Sequence, residues 1–268
     1  MQLKCLFWNS GRNSPNTEIA ALALDTGANF IVLAEYPGTN TDLIREFSNV
    51  GLNFFAVPIL GCQRLIIFTT FSISKIKHKR EADRYTIKEL TLPGKLPLLI
   101  GLVHLPSKLH SEDIDQLHSA IFFRQEIELA ETEAKHNNTL IFGDFNMNPF
   151  DDGMMSAAAM NSLPCLVTAK KESRIKEGRS HSFFYNPSWN ILGDFLGPPG
   201  TYFHSSPGYL SHYWNTLDQV ILRPSIAARF IKQSLAVKTM AGQDSLINAA
   251  GRPTVSDHLP LYFELDLN

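Results

Sequence analysis

The feature that most limits what this chain can become is a set of short apolar runs that stop on a polar group. Leu3-Lys4-Cys5-Leu6-Phe7-Trp8 stops on Asn9, Phe30-Ile31-Val32-Leu33-Ala34 on Glu35, Leu99-Ile100-Gly101-Leu102-Val103 on His104, and Thr139-Leu140-Ile141-Phe142-Gly143 on Asp144. Runs of this length, rich in branched and aromatic residues, read as strands buried on both faces. Further strands are predicted at 65–71, 84–92, 97–104, 139–142, 217–222 and 260–265. Between the first two strands Ser14 suits an N-cap with Pro15 at the first helical position, Ile19, Leu22 and Ala23 form a stripe, and Gly27 ends it. A longer helix is predicted from Ser111 to about Lys135, with Ile114, Leu117, Ile121 and Leu129 facing inward.

Strands and helices interleave, yet hairpin-like pairs also occur, so the reading is an α/β protein with mixed sheet pairing. There is no internal repeat, heptad run or low-complexity linker, and residues 1–268 are read as one domain. Hydrophobic residues at 44% against 19% charged exclude a disordered chain. A net charge of −2 gives no global positive field, which argues against tight DNA binding while leaving transient catalytic contact with nucleic acid open. Three cysteines, Cys5, Cys62 and Cys165, have no CxxC spacing and read as buried free thiols. No run reaches the length of a membrane span and MQLKCLFWN has no leader pattern, so a cytoplasmic protein is expected. Oligomeric state is not encoded in any of these features.

The stretch Gly143-Asp144-Phe145-Asn146 is the sharpest case of the strand-end pattern. In an extended chain Asp144 and Asn146 project to one side and Phe145 to the other, which would put a carboxylate and an amide in one pocket. Gly143, lacking Cβ, would let a backbone or a ligand approach closely. The same four residues, followed by Asn148-Pro149, also read as a plain turn. Likewise Glu35 before Tyr-Pro could cap a turn, His104 could be a satisfied core histidine, and Asp218 could pair with an arginine.

Taken together the strand-end residues suit metal-assisted attack of water on phosphorus. Glu35 and Asp257 are hard oxygen ligands and Asn9 adds a neutral carbonyl, a set matched to Mg²⁺ or Mn²⁺ with several retained waters. Asp144 could orient or deprotonate the water, and Asn146 could hold it or a non-bridging oxygen. A hydrogen bond from His258 to Asp218 would fix the imidazole tautomer and favour its charged form.

In order along the chain, LFWN, AE, VHLPS, GDFN, LDQ and SDHLP resemble the endonuclease/exonuclease/phosphatase superfamily, over nearly the whole length from Asn9 to His258. The resemblance implies a four-layer fold of two mixed β-sheets flanked by helices and divalent-metal phosphoester hydrolysis. By matching position, Glu35 resembles the principal metal ligand with Asn9 and Asp257 beside it, Asp144 and Asn146 the pair that handles the nucleophile, and Asp218 and His258 the acid–histidine pair. His104 is similar to the histidine of the deoxyribonuclease and sphingomyelinase branches, where it protonates the leaving group or binds phosphate. The chain departs from the pattern in two places. Gly11 stands where the apurinic branch has an acid, and no glutamate near Gly61-Cys62-Gln63-Arg64 matches the one that orients the first histidine, so His104 is expected to be held by Gln63 or left looser.

For substrate, residues 170–214 are read as a specificity loop region, because they are rich in Gly, Pro, Ser and aromatics and lack helical periodicity. Lys170, Lys171 and Arg174 would hold backbone phosphates and Trp189 would stack on a base. The aromatics of Phe183-Phe184-Tyr185 and His212-Tyr213-Trp214 could equally be core beneath a loop. A second basic run, Lys75, Lys77 and Lys79 with Arg80, reads as a protected edge strand. The functional expectation is an Mg²⁺-dependent nuclease. The alternatives are a phosphatase or phosphodiesterase acting on inositol phosphates or a lipid headgroup, and a non-catalytic interaction module on the same scaffold.

Overall fold

The chain was analysed as a computed structural model that describes residues 1–108, 112–195, 197–206, 208 and 211–268. The strands are β1 (Gln2–Asn9), β2 (Phe30–Ala34), β3 (Phe55–Ala56), β4 (Leu65–Thr69), β5 (Ile76–Ala82), β6 (Tyr85–Leu90), β7 (Leu98–His104), β8 (Thr139–Asp144) and β9 (Ser162–Leu163), followed by Phe184–Tyr185, Asp218–Leu222, Ala236–Val237 and Leu261–Asp266; β3, β9, Phe184–Tyr185 and Ala236–Val237 have no counterpart among the predicted strands. They form two sheets. The first has the order Ala236–Val237, Leu261–Asp266, β1, β2, β4, β3, and the second the order β5, β6, β7, β8, Asp218–Leu222, Phe184–Tyr185, β9.

Both sheets are mixed, and each contains one parallel pair of long strands joined by a crossover helix. β1 runs parallel to β2, connected through helix α1 (Asn16–Thr26), and β7 runs parallel to β8, connected through helix α3 (Asp113–Ala134). A parallel pair ends at a common edge, so Asn9 lies opposite Ala34 in one sheet and His104 opposite Asp144 in the other. The period of two along each strand then builds the layers. Cys5, Phe7, Val32, Leu102, Leu140 and Phe142 point between the sheets into one core, Leu6, Trp8, Ile31 and Leu33 face the helix side of the first sheet, and Leu99, Val103 and Ile141 face α3. With α1 and helix α2 (Asn40–Asn49) on one outside and α3 on the other, the four-layer arrangement is complete. Among the described residues, no helix is long and apolar enough to cross a membrane.

Several local expectations need correction. Helix α1 begins at Asn16 with Pro15 at the N-cap and no side-chain cap, so Ser14 lies one residue too early, while Gly27 ends the helix in the left-handed conformation as expected. The inner face of α3 is Ala120, Phe123, Ile127 and Ala130, with Ile114 and Leu129 exposed and Leu117 and Ile121 only flanking it. The missing Cβ of Gly101 makes room for two of the inner residues, since an added Cβ would come within 2.9 Å of Ile127 and 3.3 Å of Phe123. Gln116 and Arg124, polar residues on that face, are buried because they donate to the loop carbonyls of Pro106, Asn146, Ala159 and Ser182. The predicted start at Ser111 lies outside the described residues. Cys5 and Cys62 are buried, but Cys165 is exposed. The lysine-rich β5 is an edge strand, with Lys79 paired to Glu89 at 2.9 Å and Arg80 to Glu126 and Glu133.

Candidate active site

The strand-end residues of the two sheets meet in one open polar cleft of about 800 Å³, lined by Asn9, Glu35, His104, Asp144, Asn146, Asp257 and His258 together with Arg12, Arg64, Arg84, Tyr202 and Phe203. Asp218 reaches the same place from the other direction. Its strand runs antiparallel to β8, so the first residue of that strand, not the last, lies opposite Asp144.

Asp144 is the centre of the site and is fully buried. Its Oδ2 accepts the Asn9 amide at 3.0 Å and the Asn146 amide at 3.1 Å, and its Oδ1 accepts the Asn146 backbone N–H at 2.7 Å. Asn146 stands at φ 52, outside the strand, so it shares the pocket through a side-chain turn and not by strand alternation. The turn and site readings of this motif are one structure. Gly143 is required beneath it, since at φ +142 an added Cβ would come within 2.2 Å of the Val103 carbonyl on the neighbouring strand. The close approach is therefore that of a backbone.

Both asparagine amides are held in one orientation by their partners. The Asn146 Nδ2 hydrogens go to the Leu105 carbonyl at 2.9 Å and to Asp144, which leaves Oδ1 as its free acceptor. Asn9 uses Nδ2 on Asp144, while its Oδ1 takes only the Gly11 N–H at 3.1 Å. Turning either amide over would set oxygen against oxygen.

On one side of Asp144 lies the acid–histidine pair. His258 Nδ1 is 2.8 Å from Asp218 Oδ2, and because a carboxylate only accepts, the proton belongs on Nδ1 and leaves Nε2 facing Asp144 Oδ2 at 4.0 Å. Burial works against the imidazolium, but the charge and hydrogen bond of Asp218, with the charges of Asp144 and Asp257, outweigh it and lift the His258 pKa to about 9. Burial pushes the Asp218 carboxyl up, and His258 pulls it back. Three residues that the sequence reading passed over hold this pair. Ser256 Oγ donates to the Asn9 carbonyl at 2.8 Å and accepts the His258 N–H at 3.1 Å, Thr201 Oγ1 accepts the Asp218 N–H at 3.0 Å, and Trp8 Nε1 donates to the His258 carbonyl at 2.9 Å. A serine two residues before a histidine is the one such signal visible in sequence, as a hydroxyl turn. Tyr202 packs its ring 4.7 Å from that of His258.

On the other side the groups are looser. Glu35, at φ 51, lies with Oε1 3.3 Å from His104 Nε2 and Oε2 3.7 Å from Arg12, and the hydrogen bond to His104 holds its pKa below the usual carboxylate range. A non-glycine residue in this region carries about 1–3 kcal/mol of backbone strain, a cost often found where a side chain must be aimed. His104 Nε2 is also 3.7 Å from Asp144, while its buried Nδ1 has no hydrogen-bond partner among the described residues, so Gln63 does not orient it. Asp257 is exposed, with only Ser256 Oγ near its carboxylate at 3.4 Å. The ligand atoms of Asp144, Asp218 and His258 lie within 4.8 Å of one another, a buried cluster that could hold a metal ion.

The predicted substrate residues are placed elsewhere. Lys170, Lys171, Arg174 and Trp189 are not among the residues lining the cleft. Arg174 belongs to an exposed hairpin (Ser173–Lys176 with Arg179–Ser182), binds Asn161 and stands over the Phe183 ring. Trp189 packs against Phe150. Phe183, Phe184 and Tyr185 are buried core, the second of the two readings left open for them. Among the described residues of 170–214, only Tyr202 and Phe203 line the cleft.

No family model matches the sequence, and no curated protein sequence matches it at a significant level. Solved structures do. The human Nocturnin catalytic domain with bound sulfate is 13% identical, with 100% of this chain and 95% of that one aligned at a TM-score of 0.56. D. rerio TDP2 complexed with a single strand DNA product is 15% identical, covering 99% of both chains at 0.55. An endonuclease/exonuclease/phosphatase family protein from Bacteroides thetaiotaomicron is 14% identical, covering 100% of this chain and 98% of that one at 0.56. Over its full length, then, this chain has the endonuclease/exonuclease/phosphatase fold.

Proposed function

We propose that the protein is a divalent-metal-dependent phosphoesterase, and within that class a nuclease that hydrolyses a nucleic-acid phosphodiester by attack of water. The observation that carries the reading is convergence: hard oxygen donors, a hydrogen-bonded acid–histidine pair and a buried carboxylate flanked by two amides meet in one cleft. The D. rerio TDP2 structure, with its single strand DNA product on the same fold, supports the choice of nucleic acid.

The outer donors fit a hard cation. Glu35 Oε2 has only its loose contact to Arg12, Asn9 Oδ1 takes a single N–H, and Asp257 is exposed, so each keeps lone pairs that no protein donor uses. Glu35, Asn9 and Asp257 would hold Mg²⁺ or Mn²⁺, which when bound neutralises phosphate charge and stabilises the leaving oxygen. The buried cluster serves proton handling better, because His258 Nδ1 and Asp218 Oδ2 already satisfy each other.

Asp144, fixed by two amides, orients the attacking water and takes its proton. Asn146 has only Oδ1 free, so it accepts a hydrogen bond from that water and does not donate to a phosphate oxygen. His258, kept charged by Asp218, presents Nε2 to a phosphate oxygen, and His104 stands between Glu35 and Asp144 where it can meet the opposite side of the phosphate. The displacement of Lys170, Lys171 and Arg174 from the cleft favours a second reading, hydrolysis of an inositol phosphate or lipid headgroup by the same groups. A non-catalytic module would have no use for the complete set. Turnover should vanish in EDTA and return with Mg²⁺ or Mn²⁺ on labelled single- and double-stranded DNA or RNA. Activity on inositol phosphates or sphingomyelin alone would move the assignment to the second reading, and full activity in metal-free protein would end both.

A further inference from the structure

We infer that Arg64 and Arg84 form a subsite for a second phosphate, one unit along the substrate from the phosphate that is cleaved. The inference rests on the phosphoesterase reading and assigns its substrate class: esters that carry a neighbouring phosphate.

The two arginines reach the cleft from different sheets. Leu65 pairs with Ala34, so Arg64 holds the register position opposite Glu35. Tyr85 pairs with Val103 and the His104 N–H donates to the Arg84 carbonyl at 2.9 Å, so Arg84 stands opposite His104. The two residues thus stand on the strands outside Glu35 and His104, on the side away from Asp144, and both line the cleft. Strand spacing of about 4.8 Å puts the backbone of Arg84, two strands from β8, roughly 10 Å from that of Asp144, so Arg84 rises from the outer wall of the cleft, beyond His104 as seen from Asp144.

One of the two charges is not paired by the protein. Arg64 Nε pairs with Asp83 at 3.1 Å, whereas Arg84 has no acidic partner among the described residues. Burial and then the charge of Arg64 lower the Arg84 pKa, the signature of a cation held in a poor environment beside another cation. Their mounting is nevertheless built. Glu81 Oε2 accepts the N–H groups of Leu60 and Gly61 at 2.9 and 2.8 Å, Cys62 Sγ donates to the Asp83 carbonyl, and the buried Lys88 ammonium binds Glu81 at 3.0 Å. These bonds lock the 60–64 loop against the 81–84 turn and hold both arginines at the cleft wall. A phosphate offers what Arg84 lacks, anionic acceptor oxygens that the planar guanidinium fork can meet two at a time.

The test compares dTpdT with 5′-phosphorylated dTpdT and with dTpdTpdT, at saturating Mg²⁺, in wild type, Arg84→Ala, Arg84→Lys and Arg64→Ala, with thermal melts confirming folding. Wild type should favour the substrates bearing the extra phosphate by about tenfold or more in kcat/KM. Arg84→Ala should erase most of that ratio through KM, and lysine should restore it only in part. Inositol 1,4-bisphosphate against the 1-phosphate serves as the arm for a headgroup source. Inorganic pyrophosphate, titrated calorimetrically into metal-free protein, reads the subsite without turnover and should bind at least about tenfold more weakly to Arg84→Ala. No wild-type preference for the extra phosphate, or one that survives both alanine variants, overturns the subsite while leaving hydrolysis intact. Arginine-dependent pyrophosphate binding with no ester cleaved would support the subsite and reject the phosphoesterase reading.

Discussion

The two sides of the cleft are built differently around the same carboxylate. His258 and Asp218 are buried, bonded to each other and fixed by Ser256, Thr201 and Trp8. Glu35 is half-buried and Asp257 exposed, and His104 between Glu35 and Asp144 has no hydrogen-bond partner on Nδ1 among the described residues. The deep side is held by these bonds, although Asp218 Oδ1 has no hydrogen-bond partner among the described residues. The outer side is under-coordinated, which is how side chains look when a ligand is meant to complete them.

The comparison breaks most sharply at the deep side. Asp144→Asn and His258→Ala should each lower kcat by at least about a hundredfold at saturating metal, the scale of a lost acid–base or electrostatic group. Near-normal rates with folded protein in either variant would show that the preorganised half is not the catalytic half. His104→Ala should cost about tenfold under the same assay, since a histidine without an orienting partner contributes less. A loss as large as that of His258→Ala would make the two sides equivalent. Glu35→Gln should act on metal demand first, raising the half-saturating Mg²⁺ concentration about tenfold with kcat recovered at high metal. A fall in kcat that no metal concentration repairs would place Glu35 with the deep groups.

The smallest effect is on stability against pH in metal-free protein, and the two sides differ in sign. The His258 pKa is raised from its ordinary value of 6.5 to about 9, so its contribution is complete below pH 6.5 and is lost as pH rises through 9. Glu35 is lowered from 4.5, so its contribution is present above pH 4.5 and fades as pH falls below that value. Melting curves should therefore show an alkaline decline that His258→Ala flattens and an acid decline that Glu35→Gln reduces. Identical profiles in wild type and both variants would remove the electrostatic distinction.

Much of this molecule was legible before its fold. A strand buried on both faces must be apolar along its length, so runs such as Phe30–Ala34 and Leu98–His104 declare themselves, and a polar residue ending such a run stands out against that background. The strand ends, the domain count and the constellation Asn9, Glu35, His104, Asp144, Asn146, Asp218, Asp257 and His258 follow from that contrast. Helix α3 was misread because amphipathic pattern ranks residues by size, whereas the helix packs by closeness, with Ala120 and Ala130 inward and Ile114 and Leu129 outward.

What only the tertiary structure decided is everything that depends on which chain segments meet. The basic run at Lys170, Lys171 and Arg174 looks like a phosphate track in sequence, yet Arg174 is spent on Asn161 and Phe183. Arg64 and Arg84 carry no local signal, since each is a single arginine before an apolar strand, and they become a pair only because β4 and β6 deliver them beside Glu35 and His104. Sequence determines the chemistry of each strand end through the cost of burying a polar group without a partner. Pairing register across the two sheets decides which of those ends share a cleft and which arginines stand over it.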